Sequence, residues 1–319
     1  MYVIAVDLGG TQMRAAIVNE EGKLLTRKAL KTNAKDGAER VIQRLIALLH
    51  EVADPFFQRE GKSAFAGIGM AIPGALNVQE GIVHFSPNLP GWKNVAIKEI
   101  MENEFSLPVY VANDADAAAL GEYYFGQGKG VHNFIYVTIS TGVGAGVIEN
   151  GRLLLGVQGQ AAEVGHMIVN PEGPKCSCGN FGCIEAYISG TGIVRRAKEE
   201  LANSPLPSRL RQLEKIETKD VFLFAKEDDE IAQKIVEETK KYLGILTMNL
   251  IHLFNPKLII FGGGVSQVGD ELFAPAISYA KKKVMYPMGE QFTYRLTKLG
   301  DNVGLLGAAS IVKYYREIT

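Results

Sequence analysis

The sequence predicts an α/β protein of two domains, and three observations support this fold class. Short apolar runs rich in β-branched residues alternate with longer stretches of helical periodicity, which is the pattern of sheets covered by helices. The chain has 319 residues, of which 47% are hydrophobic, and this is enough for two domains of ordinary size with full cores. A strand pattern near the start of the chain also recurs near its middle.

The recurring pattern occurs first in residues 2–25 and again in residues 133–154. In each copy a strand, a Gly-rich turn, a strand, an acidic-Gly turn and a strand follow one another, and GVIENGRLL is similar to AIVNEEGKLL. A repeat of this kind indicates two α/β domains of shared ancestry, and the alternative is two ordinary hairpins that look alike. We expect a small domain of residues 1–112 plus 303–319 and a large domain of residues 113–302.

The remaining elements follow from local signals. Strands are predicted where short apolar runs are bounded by turn residues, and helices where apolar residues recur at helical spacing. Asp36 and Glu39 have the spacing of a capping box, so Asp36 is expected to cap the first helix. The predicted strands outside the repeat are 65–72, 82–85, 108–112 and 257–266, the last running into a triple-Gly turn. The predicted helices begin near residues 36, 95, 115, 185, 229, 270 and 304, and residues 202–217 are expected on the surface.

The charge balance excludes some classes of protein. Lys and Arg number 34 and Asp and Glu number 35, so the formal net charge of -1 gives no long-range attraction to nucleic acid or to an anionic membrane. The N-terminus lacks the basic region of a signal peptide, and no stretch is apolar over a length that spans a bilayer. We therefore expect a cytoplasmic protein that binds neither nucleic acid nor membrane.

All three cysteines lie in one short stretch. Cys176, Cys178 and Cys183 fall within eight residues, and His166 lies ten residues before the first of them. Three thiolates and one imidazole form a tetrahedral zinc set, and a closed site of four protein ligands is usually structural. The alternative is a chance cluster of small buried cysteines. Since no basic, groove-entering helix lies nearby, the stretch predicts a metal-stiffened loop in a reducing compartment and not a nucleic-acid finger.

Three Gly-rich turns follow predicted strands, at residues 7–11, 140–146 and 262–264. Glycines let backbone N–H groups converge on an anion, and neighbouring Thr and Ser hydroxyls add donors. None of the turns has Walker A or Rossmann spacing, and any one of them alone is consistent with an ordinary tight turn. Together they favour a nucleotide held between the domains, with Asp7 placed to hold Mg²⁺ directly or through water.

Asn113 and Asp114 stand at the carboxyl end of a predicted strand, where α/β proteins place ligand chemistry. A carboxylate at this point can accept the proton of a hydroxyl that attacks a phosphoryl group. An Asp after a strand also commonly caps the following helix, and Asp114 could serve in both ways.

Seven motifs together resemble those of one known family. They are DLGGT (7–11), NLPGW (88–92), NDADAAALGE (113–122), STGVGAG (140–146), EVGH (163–166), CSCGNFGCIE (176–185) and FGGGVS (261–266). In this order they resemble the ROK family, which groups repressors, open reading frames and sugar kinases. The resemblance runs from the first strand to the terminal GLLGAAS segment, and the cysteine stretch with EVGH is its most specific part.

The resemblance implies an actin-like and hexokinase-like (ribonuclease H-like) fold of two α/β domains, with an interdomain cleft and a zinc knuckle. It also implies sugar phosphorylation by MgATP, with Asp114 as the general base for the sugar 6-hydroxyl. The implied sugar-binding residues are Gly74, Asn88, Asn113, Asp114, Glu163, His166 and Glu185. The implied nucleotide-binding residues are Asp7 through Mg²⁺, and Gly9, Gly10, Thr11, Thr141, Gly142, Gly263 and Gly264.

The sugar-binding side of this pattern has two special features. His166 would have two tasks, with one ring nitrogen on zinc and the other toward the sugar, so the ion would fix its orientation. Relatives usually read G-A-G-E around the sugar glutamate, whereas this chain has Gln160, Ala161, Ala162 and Glu163. The exact sugar is therefore left open by the sequence.

Four functions compete at this point. Phosphorylation of glucose at its 6-hydroxyl is the leading expectation, and a sibling kinase for N-acetylmannosamine, fructose or mannose is the alternative enzyme. A sugar-responsive repressor of the family would need a DNA-binding segment, and only six residues precede Asp7. An actin- or chaperone-like nucleotide switch would not need the zinc knuckle. The resemblance also suggests a dimer or a tetramer, and we expect a homodimer.

Overall fold

The chain forms two compact units in a computed structural model that describes residues 1–318. The first unit contains Met1–His132, Gly146–Ala162 and residues 297–318, and the second contains Asn133–Ala145 and Glu163–Leu296. Among the described residues, no helix has both the length and the apolar character that a membrane span requires. The domain limits expected from the sequence stay a prediction.

Strands and helices alternate along the chain. The strands are β1 (Tyr2–Leu8), β2 (Gln12–Val18), β3 (Leu24–Lys31), β4 (Phe65–Ile72), β5 (Ala75–Asn77), β6 (Ile82–Phe85), β7 (Lys93–Val95), β8 (Val109–Asn113), β9 (Phe134–Ile139), β10 (Val143–Glu149), β11 (Arg152–Leu153), β12 (Leu258–Gly262) and β13 (Thr293–Leu296). The α-helices are α1 (Ala38–Glu60), α2 (Ile97–Phe105), α3 (Asp114–Phe125), α4 (Glu185–Ile188), α5 (Gly190–Asn203), α6 (Thr218–Lys226), α7 (Glu230–Phe254), α8 (Asp270–Lys283), α9 (Met288–Gln291) and α10 (Val303–Ile318).

The sheet of the first unit has the strand order β3-β2-β1-β4-β8. β1 is antiparallel to β2 and parallel to β4, and β4 is parallel to β8. The carboxyl ends of β1, β4 and β8 therefore lie at one edge, which carries Asp7 and Asn113. Fully buried Val6 and Ile68 share a core with Leu45 of α1, and this core fixes the position of that edge.

Helix α3 begins at the same edge and packs against α10. The two helices approach closely at Gly121 and Gly307, where a Cβ on Gly307 would lie 2.4 Å from the carbonyl oxygen of Ala117. Bulkier side chains at this crossing would push the helices apart, so the small residues of the ADAAALG segment hold α3, and Asp114 at its start, against the unit.

The second sheet has the strand order β11-β10-β9-β12-β13. β12 is parallel to β9 and to β13, and β10 is antiparallel to β11. Strands β9 to β11 repeat the succession of β1 to β3, as the sequence predicts. Within the second unit the rings of Phe261 on β12 and Phe273 on α8 lie 4.8 Å apart, in the core between strand and helix.

Two local predictions were wrong. Helix α1 begins at Ala38 with Gly37 as its N-cap and without a side-chain cap, because the Asp36 carboxylate binds Arg44 at 2.6 Å instead. The helix expected from residue 185 is divided at Ser189, whose side chain caps α5 by accepting from the Gly192 amide. The elements that sequence analysis missed are short, and they are β5, β7, β13, α6 and α9.

Candidate functional site

The predicted metal ligands come together in the second unit. The ligand atoms of His166, Cys176, Cys178 and Cys183 all lie within 4.8 Å of one another. The sulfurs of Cys178 and Cys183 are 3.7 Å apart, and the Cys176 sulfur lies 3.8 Å from Nδ1 of His166. Zinc held tetrahedrally at about 2.3 Å from each sulfur would separate two sulfurs by about 3.8 Å, so the donor set fits this ion.

The knuckle, defined here as residues 170–183, is shaped by its own backbone. The amide of Cys176 donates to the Asn180 carbonyl at 2.7 Å, and the Gly179 amide donates to the Cys176 carbonyl at 3.1 Å. Gly182 has a φ of 70°, and a Cβ there would lie 1.6 Å from the carbonyl oxygen of Asn170. Only glycine fits at this position, because any side chain would break the turn that brings Cys183 back toward the other ligands.

His166 ends a single 3-10 turn, Val164–His166, in which its amide donates to the Glu163 carbonyl at 3.1 Å. Nδ1 is the ring nitrogen that approaches the cysteine sulfur. The other nitrogen, Nε2, is then the one available for the second task that the sequence predicts for this residue. The Glu163 side chain is exposed at the start of the same turn.

Glu185 connects the knuckle to a Gly-rich turn. Its Oε2 accepts from the Val143 amide at 3.0 Å, and its Oε1 accepts from the Ser177 hydroxyl at 2.9 Å. Val143 directly follows Thr141 and Gly142 of the predicted phosphate turn. One carboxylate thus fixes the start of β10 relative to the knuckle, and Glu163, His166 and Glu185 belong to one compact region of the second unit.

A cavity of about 970 Å³ opens beside this region, entirely within the second unit. Its lining includes Thr141 and Gly264, which the sequence predicts to bind nucleotide, together with apolar Phe222 and Val265. Gly142 and Gly263 are neighbours in sequence of these lining residues. A cavity of this size with an apolar wall and backbone turns has the features of a cofactor site.

Sequence analysis missed several polar residues of this cavity. Thr191 donates through its hydroxyl to the Thr141 carbonyl at 2.7 Å, and the Gly190 amide donates to the Ser140 carbonyl at 2.7 Å. The first turn of α5 thus supports the Gly-rich turn. The other missed polar lining residues include Arg195, Lys198, Lys215, Thr218, Lys219 and Lys226.

In the first unit, Asn113 and Asp114 have different roles at the start of α3. Asn113 is the N-cap of α3, since its Oδ1 accepts from the Ala115 amide at 2.9 Å, and its Nδ2 donates to the Gly74 carbonyl at 3.3 Å. Asp114 is the first residue of the helix and is exposed, with Oδ1 2.9 Å from the same amide. The cap predicted as an alternative role for Asp114 is therefore supplied by Asn113.

The first Gly-rich turn lies at the end of β1. Gly10 packs against the 86–92 loop so closely that a Cβ would lie 2.5 Å from the carbonyl oxygen of Asn88, while the Thr11 and Asn88 side chains are exposed. The Gly9 amide donates to the Gln12 carbonyl at 2.9 Å. The turn is therefore held in one shape by the loop that also presents Asn88.

Asp7 is half-buried beside this turn. Burial raises the pKa of its carboxyl group, and the positive charges of Arg14 and Arg27 oppose that shift. The Nε of Arg14 lies 3.6 Å from Oδ2 of Asp7. A nearby positive charge favours the ionised form of a partly desolvated carboxyl group, and ionised carboxylates are among the oxygen ligands that Mg²⁺ takes in proteins.

The sequence matches the ROK family over residues 3–314. The chain belongs to the ROK family. Among ROK proteins it is 37% identical to a glucokinase of Thermotoga maritima, an alignment that covers 98% of each chain. It is also similar to the crystal structure of a ROK hexokinase from Thermus thermophilus, with a TM-score of 0.84, 32% identity and full coverage of both chains.

A second ROK structure contains ligands. It is a glucokinase from Streptomyces griseus in complex with glucose and AMPPNP, and it covers 98% of this chain and 99% of its own, with a TM-score of 0.80 and 32% identity. These likenesses confirm the predicted ROK fold. They leave the roles of the individual residues as predictions.

Among the described residues, seven other than glycine have a positive φ, and Ala162 is the one of them that is neither Asn, Asp nor Ser. Ala162 has a φ of 63°, in the left-handed region where glycine is favoured, and it directly precedes Glu163. It stands where the family pattern G-A-G-E has its second glycine. The departure noticed in the sequence is thus a strained position in the structure.

Proposed function

We propose that the protein is an ATP-dependent glucokinase that transfers the γ-phosphoryl group of ATP to the 6-hydroxyl of glucose. The proposal is supported by full-length similarity to glucokinases and to a ROK structure that holds glucose and AMPPNP. The observation that carries it is an exposed carboxylate, Asp114, at the carboxyl end of β8, where its neighbour Asn113 supplies the helix cap.

Asp114 is assigned as the general base. It takes the proton of the 6-hydroxyl as that oxygen attacks the γ-phosphorus, the bond from phosphorus to the β,γ-bridging oxygen breaks, and ADP leaves. The first turn of a helix favours negative charge, which suits a carboxylate that must be ionised before the reaction. The Asn113 cap fixes the helix end, so the base is held in one orientation.

The sugar hydroxyls are assigned to two groups of residues. Asn113 and Asp114 bind the 3- and 4-hydroxyl side, and Glu163, His166 and Glu185 bind the 1- and 2-hydroxyl side, with Gly74 and Asn88 nearby. Glu185 already bonds Val143 and Ser177, which orients its carboxylate before sugar arrives. Preoriented groups of this kind reduce the entropy lost on binding.

The nucleotide is assigned to the Gly-rich turns. Gly9, Gly10, Thr11, Thr141 and Gly142 bind phosphates, and Gly263 and Gly264 contact the adenosine along the 970 Å³ cavity. Asp7 is proposed as the magnesium ligand, and Mg²⁺ when bound neutralises phosphate charge. His166, Cys176, Cys178 and Cys183 are proposed to hold zinc, which when bound stiffens the loop that carries His166 and Glu185.

An assay of ADP production with several hexoses tests the proposal. We expect the highest kcat/KM with glucose, lower values with mannose, and a poor reaction with galactose, because its inverted 4-hydroxyl would not meet Asn113 and Asp114. A site built to bind a hydroxyl typically loses ~10⁴ or more in kcat/KM when that hydroxyl is missing. Galactose equal to glucose would contradict the assignment of Asn113 and Asp114. N-acetylmannosamine or fructose ahead of glucose would favour the sibling kinase.

The assembly and location are also proposed. A cytoplasmic homodimer agrees with the family resemblance, and light scattering on the purified protein measures its mass directly. A monomer at working concentration would contradict the dimer without affecting the assignment of the reaction.

A further inference from the structure

Arg195 on α5 contacts both the knuckle and the short helix α4 that follows it. Its Nη1 donates to the carbonyl of Lys175, the residue directly before Cys176, and its Nη2 donates to the carbonyl of Ala186 at 3.4 Å. Ala186 directly follows Glu185. One guanidinium group therefore spans the segment that begins before a metal ligand and ends after a carboxylate that is proposed to bind sugar.

The same side chain lines the 970 Å³ cavity. Its Nε lies 3.7 Å from the Glu199 carboxylate, a charge contact one helical turn along α5, and the buried Nε has no hydrogen-bond acceptor among the described residues. Arg195 is thus held on α5 by charge, while its two hydrogen bonds go to the knuckle at Lys175 and to α4 at Ala186.

We propose that Arg195 is a positioning residue that links nucleotide occupancy of the cavity to retention of zinc in the knuckle. The inference rests on the proposed function, because it takes the cavity as the nucleotide site. A nucleotide in the cavity displaces water from the guanidinium and lowers the local dielectric, which strengthens the bonds to Lys175 and Ala186. Linkage is reciprocal, so a metal-loaded knuckle raises nucleotide affinity by the same factor.

Zinc release to a chromogenic chelator tests this link without turnover. It is measured on the purified full chain with and without saturating AMPPNP, for the parent protein and for Arg195→Met, Arg195→Lys and Lys198→Met. Lys198 is the matched control, because it lies on the same helix and lines the same cavity but among the described residues makes no hydrogen bond to the knuckle. Bound AMPPNP should slow release from the parent at least about fivefold, the lower end of usual coupling.

The variants separate positioning from general stability. Arg195→Met should release zinc about tenfold faster, the loss expected from one or two net hydrogen bonds, and AMPPNP should no longer slow the release. Arg195→Lys should lie between the two, because one ammonium group reaches only one of the two carbonyls. Lys198→Met should release zinc at the parent rate and keep the protection by AMPPNP once saturated.

Three outcomes overturn the inference. They are release from both Arg195 variants at the parent rate, undiminished AMPPNP protection in both of them, and faster release from Lys198→Met equal to that from Arg195→Met. Parent protein that holds zinc but phosphorylates no hexose contradicts the proposed function alone, since zinc release needs no reaction. Parent protein that purifies without metal contradicts both the metal assignment and the link.

Discussion

In the first unit Asp7, Asn113 and Asp114 stand at the ends of buried strands, whereas in the second unit Glu163 and His166 lie at the two ends of a single 3-10 turn and Glu185 begins the one-turn helix α4. Asp7, Asn113 and Asp114 are fixed by a sheet and by helices packed on a large apolar core. Among the described residues, Cys176 and Cys183 of the knuckle form a small apolar cluster with Ala186 of α4. The candidate residues of the first unit thus obtain their rigidity from hydrophobic burial, whereas those of the second unit are proposed to obtain it from metal ligation.

Removal of the metal gives the largest expected effect on this comparison. Structural zinc in small peptides contributes ~10–16 kcal/mol of apparent binding free energy, more than ordering one loop requires. Zinc-free protein should lose sugar binding and become sensitive to proteolysis near residues 163–185. Both core sheets should keep their far-ultraviolet circular dichroism, because their apolar cores do not depend on the ion.

Metal analysis, calorimetric titration of glucose and limited proteolysis measure this expectation, with zinc added back as the control. Metal-free protein with full activity would falsify the idea that the knuckle depends on metal ligation for its rigidity, as the first unit depends on its apolar core.

Asp114→Asn tests a candidate residue of the first unit, where side chains are positioned by the apolar core. The substitution preserves size but removes the proton acceptor, and loss of a general base typically lowers kcat by ~10²–10⁴. The KM for sugar should change much less, because the Asn113 cap and the packing of α3 still hold the side chain in place. Steady-state kinetics measure both constants, and the unfolding midpoint should stay near that of the parent.

Asp54→Asn is a suitable control, since it changes a half-exposed carboxylate on α1 of the same unit that pairs with His50 and belongs to none of the candidate sites. A kcat for Asp114→Asn within a few-fold of the parent would show that another residue takes the proton.

Contacts between residues close along the chain were more predictable from the sequence than contacts between residues far apart in it. The metal set was predictable because His166 and the three cysteines lie close along the chain, and the strand ends were predictable from buried apolar runs. Thr191 and Arg195 were missed because their partners, Thr141 and Lys175, lie 50 and 20 residues away. Side chains that support a turn from so far along the chain leave no local pattern.

Competing contacts explain the local errors. Asp36 and Glu39 fit a capping box by spacing, but Arg44, eight residues further on, provides a charged partner for Asp36, and the helix begins after Gly37. β5 and β7 have three residues each, too few to show an alternating pattern. The core elements were predictable because their periodicity extends over several residues that share one buried face.

The smallest expected effect concerns Ala162, the residue directly before Glu163. An L-residue in the left-handed region costs roughly 1–2 kcal/mol, which Ala162→Gly would remove. Glycine also gives the unfolded chain more freedom, which costs about 0.4–1 kcal/mol. The strain is the larger of the two, so Ala162→Gly should raise the free energy of unfolding by up to about 1 kcal/mol, seen as a small rise in the thermal midpoint.

The neighbouring Ala161 is a matched control, since it differs mainly in lacking a positive φ. Ala161→Gly should lower the free energy of unfolding by about 0.4–1 kcal/mol, because only the unfolded-state term applies there. Opposite signs of the change in unfolding free energy for these two adjacent substitutions would establish that the backbone is strained next to Glu163, the glutamate proposed to bind sugar. If both substitutions lower the free energy of unfolding, contacts of the Ala162 methyl group offset its backbone strain. The segment that carries Glu163 would then depend on side-chain packing as well as on metal.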